Sequence, residues 1–429
     1  MNLAILGLPL LLLLFIAGMP VAYSLLISSL YIMATSTGIQ WVSISQQMVN
    51  GLNTFTILCV PMFLLAGKIM NACGITKRLF KFARALVGWL PGGLGHVNVL
   101  ASFIFAGMSG TAIADASGLG LIEINAMEDA GYDKDFSCAV TAASSTLGPI
   151  IPPSMPLVVY GTVSSASIGA LFIAGVLPGV LMALLMMVLV SLFALKYRYP
   201  RDKISNFREL LSALKEGFLP ILTPVIILLG IYTGIFTPTE SAAIVVVYSA
   251  FLGVVVYREL NLKKLAQVFR ESATDVAGLC ILVACATLFG TVLVKAKIPQ
   301  MLISFVSSTI DSKIIFLLVM NLILLVVGMF METVSAITIL VPIILPVALS
   351  FGISPVHLGV IIVLNLMIGV ISPPFGVVLF AVNKVGNIPL GRLVKALAPW
   401  YVVLLIALFL VTYIPWLTTW LPSLMQLGV

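Results

Sequence analysis

Two stretches of this 429-residue sequence combine a broken backbone with oxygen-bearing neighbours: LGPIIPPSMP, Leu147 to Pro156, and GVISPPFGVV, Gly369 to Val378. Proline removes a backbone donor and clashes with the preceding turn. A Pro-Pro pair inside an apolar helix therefore frees carbonyls on one side of the break and amides on the other. Carbonyls ending one half-helix suit a cation, and amides opening the next suit an anion. The flanking side chains have matching chemistry. Ser144, Ser145 and Thr146 precede the first break, and Ser109, Gly110 and Thr111 lie in the polar patch GMSGTAIAD, Gly107 to Asp115. In the second half, Met331, Glu332, Thr333 and Ser335 lie in GMFMETVSAIT, Gly328 to Thr338, while Asn365 and Gly369 to Ser372 lead into the second break. Oxygen ligands without sulfur or imidazole suit a hard monovalent cation. One kinked helix whose hydroxyls bond their own i−4 carbonyls would account for one break. Two breaks at one fixed offset, each with a polar tip, favour a site.

Three carboxylates are expected at membrane depth, where charge is costly and usually functional: Asp115, Glu332 and Glu240 in TPTESAA, Thr237 to Ala243. Each can coordinate a cation, carry a proton or hold a tip. For Glu240 the reading taken is a cap on the helix that begins after Pro238, whereas Asp115 and Glu332 stay open between ion coupling and tip architecture. Asp275 is expected to be interfacial, and His96 and His357 to sit at a membrane rim and at the start of a span. GVLPG, Gly175 to Gly179, reads as ordinary helix packing. No GxxxxGK[ST] motif occurs, so energy must come from a gradient or another subunit. The five cysteines form no CxxC pair, which predicts neither a disulfide framework nor a metal site other than sodium.

These residues need elements to hold them in place. The sequence is 61% hydrophobic and only 9% charged, and stretches of about 20 apolar residues follow one another, the length of a membrane-spanning helix. The fold class is an all-α polytopic membrane protein, because a β-barrel would show shorter alternating segments. The apolar start at Met1 reads as a first span rather than a cleaved signal. Spans are predicted at about 3–18, 20–35, 53–71, 136–162, 168–196, 217–235, 238–257, 272–294, 356–382 and 396–420. Regions 97–125 and 312–350 carry polar residues in their middle and read as re-entrant hairpins of two half-length helices. A shift of 221 positions lays Gly107-Met108 on Gly328-Met329, Gly148 on Gly369, Pro152-Pro153 on Pro373-Pro374 and Pro178 on Pro399; a shift of 223 lays Gly67 on Gly290 and Ile75 on Ile298. The chain thus divides into a first repeat at 1–196, a charged cytoplasmic connector at 197–216 and a second repeat at 217–429. Each half holds five spans and one hairpin, and an odd number of crossings inverts one half relative to the other.

The net charge of +7 has its source in cytoplasmic loop bias and gives no reason to expect a nucleic acid partner. With both termini outside, every Lys and Arg except Lys295, Lys297 and Lys313 faces the cytoplasm.

The motifs GMSGTAIADASGLG (107–120), SSTLGPIIPPSMPLVVYG (144–161), GIFTPTESAA (234–243) and ISPPFGVVLF (371–380) resemble those of the large membrane subunit, called DctM or M, of tripartite ATP-independent periplasmic (TRAP) transporters. The resemblance covers nearly the whole chain. It implies an inverted-repeat elevator in the bacterial inner membrane, with two re-entrant hairpins and two broken helices moving within a scaffold, driven by sodium and needing no other cofactor. It implies three partners: a small membrane (Q) subunit, a periplasmic substrate-binding (P) protein and an organic-acid substrate. The surrounding lipid is a fourth. The family's ion sites carry over to Ser109, Gly110, Thr111, Ser144, Ser145, Thr146, Gly148 and Pro149 in the first half, and to Met331, Glu332, Thr333, Gly369, Val370 and Ser372 in the second. The substrate would lie between the tips and breaks, near Asp115, Pro152, Pro153, Ser154, Ser335, Asn365, Pro373 and Pro374. The second tip has Met and Glu where the first has Gly and Thr, so the two ion sites need not be equivalent. Members carry sialic acid, C4-dicarboxylates or other organic acids, and overall similarity leans toward sialic acid.

Two rivals keep the same residues in other roles. A stand-alone sodium:carboxylate symporter would need no binding protein. An intramembrane serine protease would use GMSG, Gly107 to Gly110, as a nucleophile motif, but requires a histidine within reach of Ser109; the reading here is that the chain is not an enzyme. The charge bias makes a topological prediction: alkaline phosphatase fused within 197–216 is expected to be inactive, and fused after Lys297 to be active. The reverse pattern would overturn the orientation.

Overall fold

The computed structural model of the protein describes residues 6–36, 41, 43–53, 55–204, 206–310 and 312–428. Among them the regular structure is entirely helical, and seven helices are long and apolar enough to cross a membrane: 168–197, 208–232, 238–256, 262–295, 313–330, 333–350 and 390–413. In chain order the helices are α1 (Gly7–Ile16), α2 (Val21–Thr35), α3 (Ser43–Leu52), α4 (Cys59–Ala72), α5 (Ile75–Val87), α6 (Gly93–Ser109), α7 (112–129, with a π turn at 115–119), α8 (Lys134–Ser144), α9 (Met155–Ser164), α10 (Ile168–Tyr197) and α11 (Phe207–Tyr232). There follow α12 (Pro238–Phe251), α13 (Leu262–Lys295), α14 (Ile298–Thr309), α15 (Lys313–Phe330), α16 (Thr333–Ser350), α17 (Pro355–Val370), α18 (Val377–Gly386), α19 (Leu390–Tyr413) and α20 (Trp416–Leu424).

Local chemistry sets many boundaries. Thr237 and Glu240 close a capping box on α12 with Pro238 at its first turn, and Asn206 and Glu209 do the same for α11. Ser167 caps α10 by accepting from the Ala170 amide at 3.3 Å. The centre of the molecule is made by α17, buried from Val356 to Val370, and α8, buried from Phe136 to Ser144. These are the leading halves of the two broken helices, and the first break, 147–156, is buried throughout.

Several boundaries differ from expectation. The first span, expected at 3–18, is the ten-residue α1, and residues 3–5 lie outside the described residues. The span expected at 272–294 begins earlier, at Leu262, and that expected at 396–420 divides into α19 and α20. The hairpin arms are longer than half-length: α6, α7, α15 and α16 have 17 or 18 residues, about 26 Å each at 1.5 Å per residue.

Three helices lie where apolar length alone predicts none: α3, α5 and α14. In α5 the residues Ile75, Thr76, Leu79, Phe80 and Ala83 are buried, while Lys77, Arg78, Lys81 and Arg84 occupy other faces. Averaging hides such a stripe; a 3.6-residue period would have found it. The axis bends by 75° between α4 and α5, and α5 is tied to the connector region by Lys81–Glu216 and Arg84–Asp202, both at 2.7 Å. The starts of α5 and α14, Ile75 and Ile298, are the positions that the 223-residue shift aligns.

GVLPG packs onto the first break. A Cβ at Gly175 would collide with the Ile150 carbonyl, and one at Gly179 would meet the Ile151 side chain at 2.5 Å. Gly175→Ala is therefore expected to cost about 1–3 kcal/mol, read as a lowered unfolding temperature in detergent. Gly278→Ala, where nothing lies within 4 Å, is the control and should not fall below the parent.

Candidate functional site

Each polar tip ends one helix and caps the next. At the first, Gly110 takes a left-handed φ of +61° and stops α6; Thr111 is extended, and its Oγ1 accepts from the Ala114 amide at 3.3 Å. At the second, Met331 is extended, and Glu332 caps α16, its Oε2 accepting from the Ser335 amide at 3.1 Å and hydroxyl at 3.4 Å.

The breaks are also satisfied locally. Ser154 accepts from the Leu157 amide at 3.2 Å, capping α9, and donates to the Pro149 carbonyl. After α17, Ser372 donates to Ile368 O at 2.7 Å, and the Tyr401 hydroxyl reaches from α19 to Ile371 O at 2.6 Å. The Pro152-Pro153 and Pro373-Pro374 peptide bonds are cis.

Tip and break are joined within each half. The Met155 amide donates to Gly110 O at 3.4 Å, and the Phe375 amide to Met329 O at 3.3 Å. Gly110 lies against Pro153 O, Gly148 against Thr111 O, and Gly369 against the Gly328 backbone. Each tip thus rests on its own break through backbone atoms.

The two tips meet at one cavity of about 680 Å³. It is lined by Ser109, Gly110, Thr111 and Pro149 from the first half, by Glu332, Thr333, Ser335 and Val370 from the second, and by α4 and α13 through Lys68, Asn71, Asp275 and Leu279 among others. Eight of the residues singled out from sequence therefore share one space. Ser144, Ser145, Thr146, Gly148, Met331, Gly369 and Ser372 are not part of its lining. The hydroxyls of Ser144, Ser145 and Thr146 are fully buried, and those of Ser145 and Thr146 donate back to Ala142 O (2.9 Å) and Ala143 O (2.6 Å). Donating back leaves the oxygen lone pairs of Ser145 and Thr146 available to a cation. Behind them Asn98 donates to Thr141 Oγ1 at 2.7 Å and accepts from Ser144 Oγ at 2.7 Å, while Ser102 donates to Ser144 at 3.1 Å. Sequence reading passed over this network.

Of the residues expected near substrate, only Ser335 lines the cavity. Asp115, Pro152, Pro153, Ser154 and Asn365 are buried away from it, and Asn365 donates to Asn321 Oδ1 at 2.9 Å. Pro373 and Pro374 are exposed outside the lining.

The carboxylates divide by environment. Glu332 and Glu240 were expected buried, but both are exposed, Glu332 facing the cavity and Glu240 held by its cap. Asp115 is buried in the π turn with neither oxygen hydrogen-bonded, and Glu123 in α7 is in the same condition. The criterion that picks out Asp115, an acid inside an apolar hairpin, applies equally to Glu123. Asp275 lines the cavity and pairs with Lys68 at 2.5 Å.

Both histidines are buried, His96 in the first turn of α6 and His357 at the start of α17, where it was expected. His96 bonds Ser191 at 3.2 Å, and His357 bonds Thr418 at 2.7 Å and Thr412 O at 3.3 Å. Ser109 Oγ has no hydrogen-bond partner among the described residues.

The profile of the family described as "Tripartite ATP-independent periplasmic transporter, DctM component" matches residues 8–417. A sialic acid TRAP transporter large permease protein of Vibrio cholerae is 46% identical over 410 residues, covering 95% of this chain and 96% of that protein. A C4-dicarboxylate TRAP transporter large permease protein of Pseudomonas aeruginosa is 42% identical over 369 residues, 86% of each. Among solved structures, the Alcanivorax borkumensis YdaH transporter superimposes with a TM-score of 0.68 over the whole of both chains at 14% identity, a likeness of fold alone.

The cap geometry makes a local prediction. Glu332→Ala is expected to destabilise the start of α16 by about 1 kcal/mol, read as faster amide exchange over 333–336. Unchanged exchange there would remove Glu332 from tip architecture.

Proposed function

Because this chain belongs to the DctM component family of tripartite ATP-independent periplasmic transporters, we propose that it is the transport subunit of such a system in a bacterial inner membrane, importing an organic acid. The named relatives act on sialic acid and C4-dicarboxylates, and the higher identity to the former favours sialic acid. The observation that carries the proposal is the cavity in which the two tips converge. It brings donors, acceptors and a lysine together between two breaks.

Sodium coupling follows from the chemistry of the groups around the tips. Hydroxyls that donate backward and carbonyls released by helix breaks form oxygen sets suited to a hard monovalent cation. Ser109, Gly110, Thr111 and the 144–149 segment would hold one ion, and Met331 to Thr333 with Gly369, Val370 and Ser372 another. Bound sodium would offset the charge of an entering carboxylate and draw each tip against its break. The backbone bonds between tip and break support a transport unit that moves as one, the elevator reading, relative to elements such as α4 and α13. A small Q subunit and a periplasmic P protein complete the proposed system, with both termini periplasmic and no catalytic role for the chain.

Proteoliposomes holding this chain and its small partner, supplied with the binding protein and labelled sialic acid or succinate, test the proposal. Uptake of at least one acid is expected to require both an inward sodium gradient and the binding protein. Uptake without the binding protein would favour the stand-alone symporter, and uptake indifferent to sodium would remove the ion assignment.

A further inference from the structure

Among the described residues, three charged side chains line the cavity: Lys68, Asp275 and Glu332. One positive charge therefore faces two negative ones, an unfavourable setting for an organic anion unless the lysine engages it. Lys68 lies on α4 and Asp275 on α13, and their 2.5 Å pair is partly open, with side chains 29% and 52% exposed. Ion pairs this exposed are weakly held, and a lysine is a compact charge on a flexible stem with three rotatable donors. An incoming carboxylate can therefore replace Asp275 without leaving a buried charge unpaired. One turn further along the same helix, Asn71 faces the same cavity, and its Oδ1 has no donor.

We propose that Lys68 recognises the carboxylate of the transported acid and that Asp275 holds its ammonium in position until the substrate exchanges for it. Asn71 then lies beside the bound acid, its amide available to a neighbouring hydroxyl or acyl group. This inference rests on the organic-acid reading above and assigns the anion-selecting role to α4, outside the tips and breaks that supply the proposed ion sites.

The test uses the chain with its small subunit, purified in sodium, with sialic acid, succinate and sialic acid methyl ester as probes. The concentration protecting half the complex from thermal unfolding is measured for the parent, Lys68→Gln, Lys68→Arg and Asp275→Asn, alongside reconstituted uptake. The parent is expected to be protected by an acid and not by the ester. Lys68→Gln should need roughly tenfold more acid or beyond with its half-saturating sodium unchanged, Lys68→Arg should recover most of the affinity, and Asp275→Asn should bind as tightly as the parent or tighter. Equal affinity in Lys68→Gln, equal protection by the ester, or an Asp275→Asn defect matching Lys68→Gln would each overturn the inference. A parent that transports its acid while Lys68→Gln binds normally would sink this assignment alone. A parent that transports neither acid would sink the organic-acid reading and this assignment together.

Discussion

Within hydrocarbon every backbone amide and carbonyl must find a partner inside the protein, and the architecture here depends on meeting that requirement at four interruptions. Two are Pro-Pro breaks and two are polar tips. The chain meets it by stacking interruption on interruption: Gly110 O accepts from Met155, Met329 O from Phe375, and Tyr401 reaches Ile371 O. Residues without a side chain make the approach possible, since a Cβ at Gly110, Gly369 or Gly175 would enter the backbone it touches. The site and the packing around it are one solution to one constraint.

Charge is placed so that little of it is both buried and idle. Glu240 and Glu332 cap helices, and Arg78, Lys81, Arg84 and Arg392 pair with Glu259, Glu216, Asp202 and Asp135 at the surface. Individually such exposed pairs contribute at most about 1 kcal/mol; three of them anchor α5, two of those to the connector, and the fourth joins α19 to α8. Asp115 and Glu123 stand apart, buried without hydrogen bonds. They are also the point at which the molecule departs furthest from what burial ordinarily tolerates.

The two halves share a plan without sharing an environment. The first break is buried throughout, whereas Pro373, Pro374 and Phe375 are exposed. The first tip is closed by a glycine and a threonine cap, the second by a methionine and a glutamate cap. Of the two, the second therefore presents a carboxylate to the cavity, and the first presents backbone and hydroxyl groups.

Composition and proline spacing by themselves determined that the chain is a helical membrane protein, and they located the tips and breaks to within a few residues. Apolar length and Pro-Pro pairs are local properties, written where they act. Hydropathy missed α5 and α14 because an amphipathic stripe averages toward zero, and it halved the hairpin arms because a polar tip reads as an interruption rather than a cap. Residues far apart in the chain meet only through packing, so no local pattern could pair Lys68 with Asp275 or put Ser109 and Glu332 on one cavity. Nor could it decide that Glu332 faces open space while Asp115 and Glu123 do not. Exposure is set by which helices close over a side chain, and that is settled by tertiary structure alone.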